Sequence, residues 1–153
     1  MSTVPHSSFV ASFPKDAEFD HPAGAIFARE LESGLRARAF SVEEFDNWRD
    51  CGWVVYVTVG EKQFEVYFAE YGEENQPGWL LAVAPLNQPG VLGRLFGRKV
   101  PTIAAELQSI SVAVHEILSG HPAVSEIRWF VGGPPEKVPS YASPHELALS
   151  DRP

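Results

Sequence analysis

Residues Gly52 to Tyr71 read GWVVYVTVGEKQFEVYFAEY, and the fold turns on how this stretch is paired. Trp53, Val55, Val57 and Val59 alternate with Val54, Tyr56 and Thr58; beyond Gly60-Glu61, Phe64, Val66 and Phe68 alternate with Glu65, Tyr67 and Ala69. A period of two in β-branched and aromatic residues suits a pleated surface and disfavours a helix. Gly60-Glu61 supplies a two-residue loop with glycine first, where a type II′ turn requires a positive φ. The stretch therefore predicts a β-hairpin with Trp53, Val55, Val57, Phe64, Val66 and Phe68 facing a core. A lone hairpin is marginal in water, so neighbouring segments must cover it.

Working outward, WLLAVAP (79–85) predicts a third strand, antiparallel to the second because the connection is short. Ahead of the hairpin, Phe27, Leu31 and Leu35 form one apolar stripe of a helix that starts near Asp20 or His21, with Pro22 in its first turn. Gly34 within it is assigned to close packing on the sheet. Ser41 and Glu44 match a capping box, which predicts one helical turn in the connection Phe40–Asp50. After the third strand, Ile103, Leu107, Ile110, Val114 and Ile117 step by four and three, predicting a second helix capped by Thr102 and ended by a left-handed Gly120 before Pro122. Val124–Val131 reads as the last strand.

These elements predict an α+β domain over residues 20–131, in the order α-β-β-β-α-β: a four-stranded, mostly antiparallel sheet with two helices packed on one face. A right-handed crossover through the second helix is expected to return the last strand beside, and parallel to, the first strand of the hairpin, in sheet order 3-2-1-4. Residues 1–19 read as a flexible N-terminal arm that lays Phe9 or Phe13 on the body. Residues 132–153 read as a proline-rich C-terminal tail, with Ser143, Pro144 and Glu146 starting a short helix through Leu149. The other sheet face, carrying Tyr56, Tyr67 and Phe130, is expected to be exposed and is a candidate for self-association.

Composition bounds the function. With 153 residues and 44% hydrophobic content the chain can bury one core, and no apolar run approaches the roughly 20 residues of a membrane span. The amino-terminal segment lacks the basic start and apolar block of a secretory signal, and a single cysteine, Cys51, precludes an intramolecular disulfide; cytoplasm is the expected location. The formal net charge is -8, and its placement is uneven: up to Gly78 there are fourteen acids against six bases, and from Trp79 onward six against six. Such a field repels nucleic acid and attracts basic partners.

No residue pattern points to catalysis, to a metal or to a cofactor. His6, His21, His115, His121 and His145 are scattered, Cys51 sits beside Asp50 where a thiolate is disfavoured, and nucleophile-elbow and phosphate-loop motifs are missing. The expected partner-binding surface is acidic and aromatic: Glu43, Glu44, Phe45, Asp46, Trp48, Asp50, Glu65, Tyr67, Glu70, Glu73 and Glu74. An alternative is a small-anion site on the glycine-rich segment 90–99, using Arg94, Arg98 and Lys99, in a ligand-binding protein or an enzyme. A third reading is an adaptor domain that dimerises through its sheet face.

Trp48 and Trp53 around the strand start at Gly52, Phe64, Trp79-Leu80-Leu81 with Pro85, Leu95-Phe96-Gly97-Arg98 and Ile127-Arg128-Trp129 together resemble small uncharacterised bacterial α+β proteins. The resemblance covers roughly Phe19 to Gly132. Some proteins of this build are immunity partners of secreted antibacterial toxins. The resemblance implies a bacterial, non-enzymatic role, of which immunity is one form; together with the acidic surface, the leading expectation is an immunity protein or inhibitor that covers a basic toxin, a monomer or weak homodimer with no nucleic acid or membrane partner. The resemblance supplies no catalytic motif.

Overall fold

A computed structural model describes residues 4–13, 23–71, 78–86 and 104–150. The hairpin at the centre forms as its alternation requires. Strand β4 (Gly52–Val59) pairs with β5 (Lys62–Tyr71) from Gly52↔Ala69 to Val59↔Lys62, and Gly60 takes a φ of +63° in the loop. Strand β6 (Gly78–Pro85) then pairs antiparallel with β5.

The remainder of the sheet departs from the four-stranded expectation. Among the described residues there are seven strands, all pairing antiparallel, and three helices. Strand β1 (His6–Ala11), β2 (Ser41–Val42), β3 (Asp46–Trp48) and β7 (Val124–Phe130) complete the order β2-β4-β5-β6-β1-β7, with β3 also pairing β4. The expected order 3-2-1-4 fails at both edges for identifiable reasons. The outer edge of β4 is taken by the segment just ahead of it: Ser41 and Val42 pair with Thr58 and Val57, and Asp46–Trp48 pair with Val54–Gly52. The capping-box turn anticipated at Ser41 and Glu44 is therefore replaced by extended backbone, in which the Glu43 amide donates to the Tyr56 carbonyl.

The other edge is claimed by residues assigned from sequence to the N-terminal arm. In β1, Ser7, Phe9 and Ala11 alternate inward and are buried. Trp79 Nε1 donates to the Ala11 carbonyl, and Ser7 Oγ donates to that of Arg128. Strand β1 lies between β6 and β7, so β7 reaches the sheet at the far end from β4. The register shifts between Ser8 and Val10, opposite Glu126, which adopts a φ of +54°; beyond this bulge Trp129 and Phe130, as successive strand residues, point to opposite faces, and both are buried.

Helices α1 (Ala25–Ala37), α2 (Ala105–Ser119) and α3 (Pro144–Ser150) share one side of the sheet. Phe27, Leu31 and Leu35 of α1, together with Leu107, Ile110, Val114 and Leu118 of α2, enclose Phe9, Val55, Val57, Val66, Phe68, Leu81, Val83 and Trp129. Leu147 carries α3 into the same core. Gly34 serves helix packing rather than the sheet: a Cβ there would stand 2.8 Å from the Ile117 side chain of α2. Gly120 ends α2 in a right-handed conformation with φ -85°, not the left-handed one expected. The anticipated starts of both long helices, at 20–22 and at Thr102, lie outside the described residues. Within these residues no helix is long and apolar enough to cross a membrane.

Candidate functional site

On the face turned away from the helices, the register fixes a row of side chains at the β3-β4-β5 corner. Asp46, Val54 and Tyr67 share one cross-strand row, Tyr56 and Glu65 the next, and Trp48 lies opposite Gly52. Gly52 presents no side chain, and a Cβ there would lie 2.1 Å from the Phe68 carbonyl oxygen. Trp48 stacks on Tyr67 with ring centroids 4.4 Å apart and planes 13° from parallel. The Arg49 guanidinium lies 5.1 Å above the Trp48 ring. Such stacked and cation–π contacts each favour a fixed orientation of the rings.

A short turn delivers these groups. The Cys51 amide donates to the Trp48 carbonyl, and Arg49 and Asp50 both hold positive φ, 52° and 57°, the pattern of a type I′ turn made without glycine. The Asn47 side chain accepts the Asp50 amide at 2.8 Å and braces it. Cys51 is exposed, its Sγ 3.6 Å from the Trp48 carbonyl oxygen.

The electrostatics of this corner are those of a partly dried acidic surface. Burial pushes the Glu65 carboxyl above its ordinary range, and the nearby Arg49 charge opposes the shift. Burial also raises the Tyr67 phenol, helped by Glu65; the Tyr56 phenol is raised by burial and then by Asp46, Glu65 and Glu43. The Glu65 carboxylate makes no hydrogen bond or ion pair with another described residue.

The structure brings together only part of the expected surface. Asp46, Trp48, Glu65 and Tyr67 form the corner, with exposed Glu43 close enough to act on Tyr56. Glu44 and Asp50 are exposed on the flanking connections. Phe45 turns the other way: its ring meets Trp53 edge-on at 5.5 Å, its amide donates to Glu32 Oε1 at 2.7 Å, and Arg29 lies over it at 5.8 Å. Glu70 shares the row of Trp79 and so alternates onto the helix side, exposed at the end of β5. Glu73, Glu74, Arg94, Arg98 and Lys99 lie outside the described residues. Phe130, expected at an exposed face, is 1% exposed and stacked on His6.

Sequence reading missed Tyr56 and Arg49 as members of the site. Tyr56 is legible in hindsight as the cross-strand partner of Glu65. Arg49 was not, because only the left-handed turn folds its side chain back over Trp48.

A second cluster has the residue types of a nucleophile and base and the wrong protonation for the task. Trp129 Nε1, a donor only, bonds His115 Nδ1 at 3.0 Å; the neutral imidazole therefore carries its proton on Nε2, which faces Ser119 Oγ at 3.3 Å. His115 thus donates to Ser119 and has no lone pair to accept its proton. No group of three or more His, Cys, Asp or Glu among the described residues is placed to hold a metal ion. No protein-family model, curated protein or solved structure matches the chain.

Proposed function

We propose that this protein is a binding module that engages a basic protein through the Trp48-Tyr56-Glu65-Tyr67 corner of its sheet, as an immunity protein or inhibitor engages a basic toxin. The observation that carries the reading is Glu65: a partly buried carboxylate, with Tyr56 opposite it and Tyr67 two residues along the same face of its strand, without a hydrogen-bonding partner among the described residues. Desolvating such a group further is costly unless a cation arrives to pair with it. Glu43 and Asp46 extend the same negative field, which speeds encounter with a positively charged surface. Trp48 and Tyr67 supply rigid contact area of the kind that dominates interface energetics.

Self-association through this corner is opposed by the same charges, since a two-fold contact would set Glu65 and Asp46 against their own copies. The test is affinity capture from the native lysate with the wild type, Trp48→Ala, Glu65→Gln and the remote control Glu136→Gln. The reading expects a basic protein retained by the wild type and the control, and lost with both corner variants. Retention that is equal for all four, or no salt-sensitive protein retained at all, would remove the corner from consideration.

A further inference from the structure

We infer that the corner is a guanidinium site, that Arg49 is its resident occupant, and that an arginine side chain of the partner displaces Arg49 on binding. This rests on the reading of the corner as a docking surface and specifies what docks there. The Trp48 ring offers a face to a flat cation, and the chain's own guanidinium is already on it, 5.1 Å from the centroid. Tyr67 backs that ring in parallel stacking at 4.4 Å, which holds the indole in place whether or not a cation is present. Glu65, next on the same face of β5, interacts with the Arg49 charge only across space and keeps its hydrogen-bonding capacity unused among the described residues.

A guanidinium suits this combination better than an ammonium does. It is planar and weakly hydrated, so it stacks on an indole while its edge N–H groups donate in parallel to a carboxylate. Arg49 makes the first contact and not the second, and its backbone is held in the left-handed turn that joins β3 to β4. An incoming arginine has no such tether and takes the ring face that Arg49 occupies, where the Glu65 charge acts on it as it acts on Arg49. Arg49 then acts as a competitor: it fills the ring face in the unbound protein and must move aside.

Removing Arg49 relieves like-charge repulsion against any cation, so what distinguishes a displaced occupant from a bulk charge is an extra gain for arginine over lysine. Arg49→Gly is the variant of choice, since a φ of +52° suits glycine and the turn keeps its geometry. Hexa-arginine and hexa-lysine amides are titrated at low salt into wild type, Arg49→Gly and Glu65→Gln, with backbone amide shifts of Trp48, Tyr56, Glu65 and Tyr67 as the readout. The expected result is a preference for hexa-arginine in the wild type, and about two- to fivefold tighter hexa-arginine binding in Arg49→Gly, the loss of an exposed cation–π competitor. Hexa-lysine should gain less, and Glu65→Gln should erase the arginine preference. Equal tightening for both peptides in Arg49→Gly would reduce Arg49 to a bulk charge and overturn this inference while leaving the docking reading intact. Failure of either peptide to shift any corner amide in the wild type would overturn both.

Discussion

Trp129 Nε1 donates to His115 Nδ1 at 3.0 Å, tying the last strand to the middle of α2 through a histidine that must be neutral to accept. Burial holds the His115 pKa below its ordinary value of about 6.5, His145 of α3 pushes it the same way, and Glu116 opposes them. The unfolded chain therefore binds this proton first as pH falls. The contribution of His115 to stability is complete above about pH 6.5 and is lost progressively as pH drops from there towards the folded pKa. Urea unfolding from pH 7.5 to 5 should show a falling midpoint, and in Trp129→Phe the His115 titration followed by NMR should move up towards the ordinary value.

Strand β1 makes its own prediction. Phe9 is 2% exposed, lies 6.5 Å from Trp79 in parallel stacking and 6.2 Å from Phe27. Phe9→Ala should cost about 3–5 kcal/mol in denaturant unfolding. A truncation starting at Ser12 should fail to give a cooperative transition, because β7 would lose its hydrogen-bonding neighbour.

At Gly34 two effects compete. Alanine gains about 1 kcal/mol in helix propensity over glycine, but its Cβ would stand 2.8 Å from Ile117 Cδ1 and 3.0 Å from Cγ1. The tip of Ile117 is able to turn aside, so Gly34→Ala should be neutral within about 1 kcal/mol. A larger side chain leaves no such route, and Gly34→Leu should lose about 1–3 kcal/mol, read as a lower thermal midpoint.

Glu32 is 8% exposed and accepts both the Phe45 amide and Arg36 Nη1. Arg36 Nη2 in turn donates to the Val42 carbonyl, so one pair on α1 pins both sides of the connection between β2 and β3. Glu32→Ala removes the carboxylate that accepts the Phe45 amide and Arg36, and should cost about 1–3 kcal/mol. Hydrogen exchange at Phe45 and Asp46 should quicken in that variant, and Glu32→Gln, which keeps an acceptor, should restore part of the protection.

Much of the interior could be read without coordinates. The Trp53–Val57 and Phe64–Phe68 alternation placed the hairpin and its core face, and Phe27, Leu31 and Leu35 named the buried stripe of α1, because each pattern repeats at the period of its own element. The short α3 was visible in Ser143-Pro144-Glu146, and its Ser143 Oγ accepts the Glu146 amide. The candidate corner was half legible: Trp48, Glu65, Tyr67 and Asp46 stood out by residue type. Phe45 and Glu70 did not separate from them, since the side of a sheet a residue faces depends on the register of its partner strand.

What the sequence by itself determined is local: the hairpin, the helical stripes and the concentration of acids before Trp79, all consequences of chemistry within a few residues. What only the tertiary structure decided is which strand lies beside which. Six residues, His6–Ala11, look like an arm because they form a short run, begin with three polar residues (His6, Ser7, Ser8), show no period-two pattern and lie far from the hairpin in sequence. They become an inner strand because β6 and β7 pair with them on either side and Phe9 packs against Trp79, partners that lie far away in sequence.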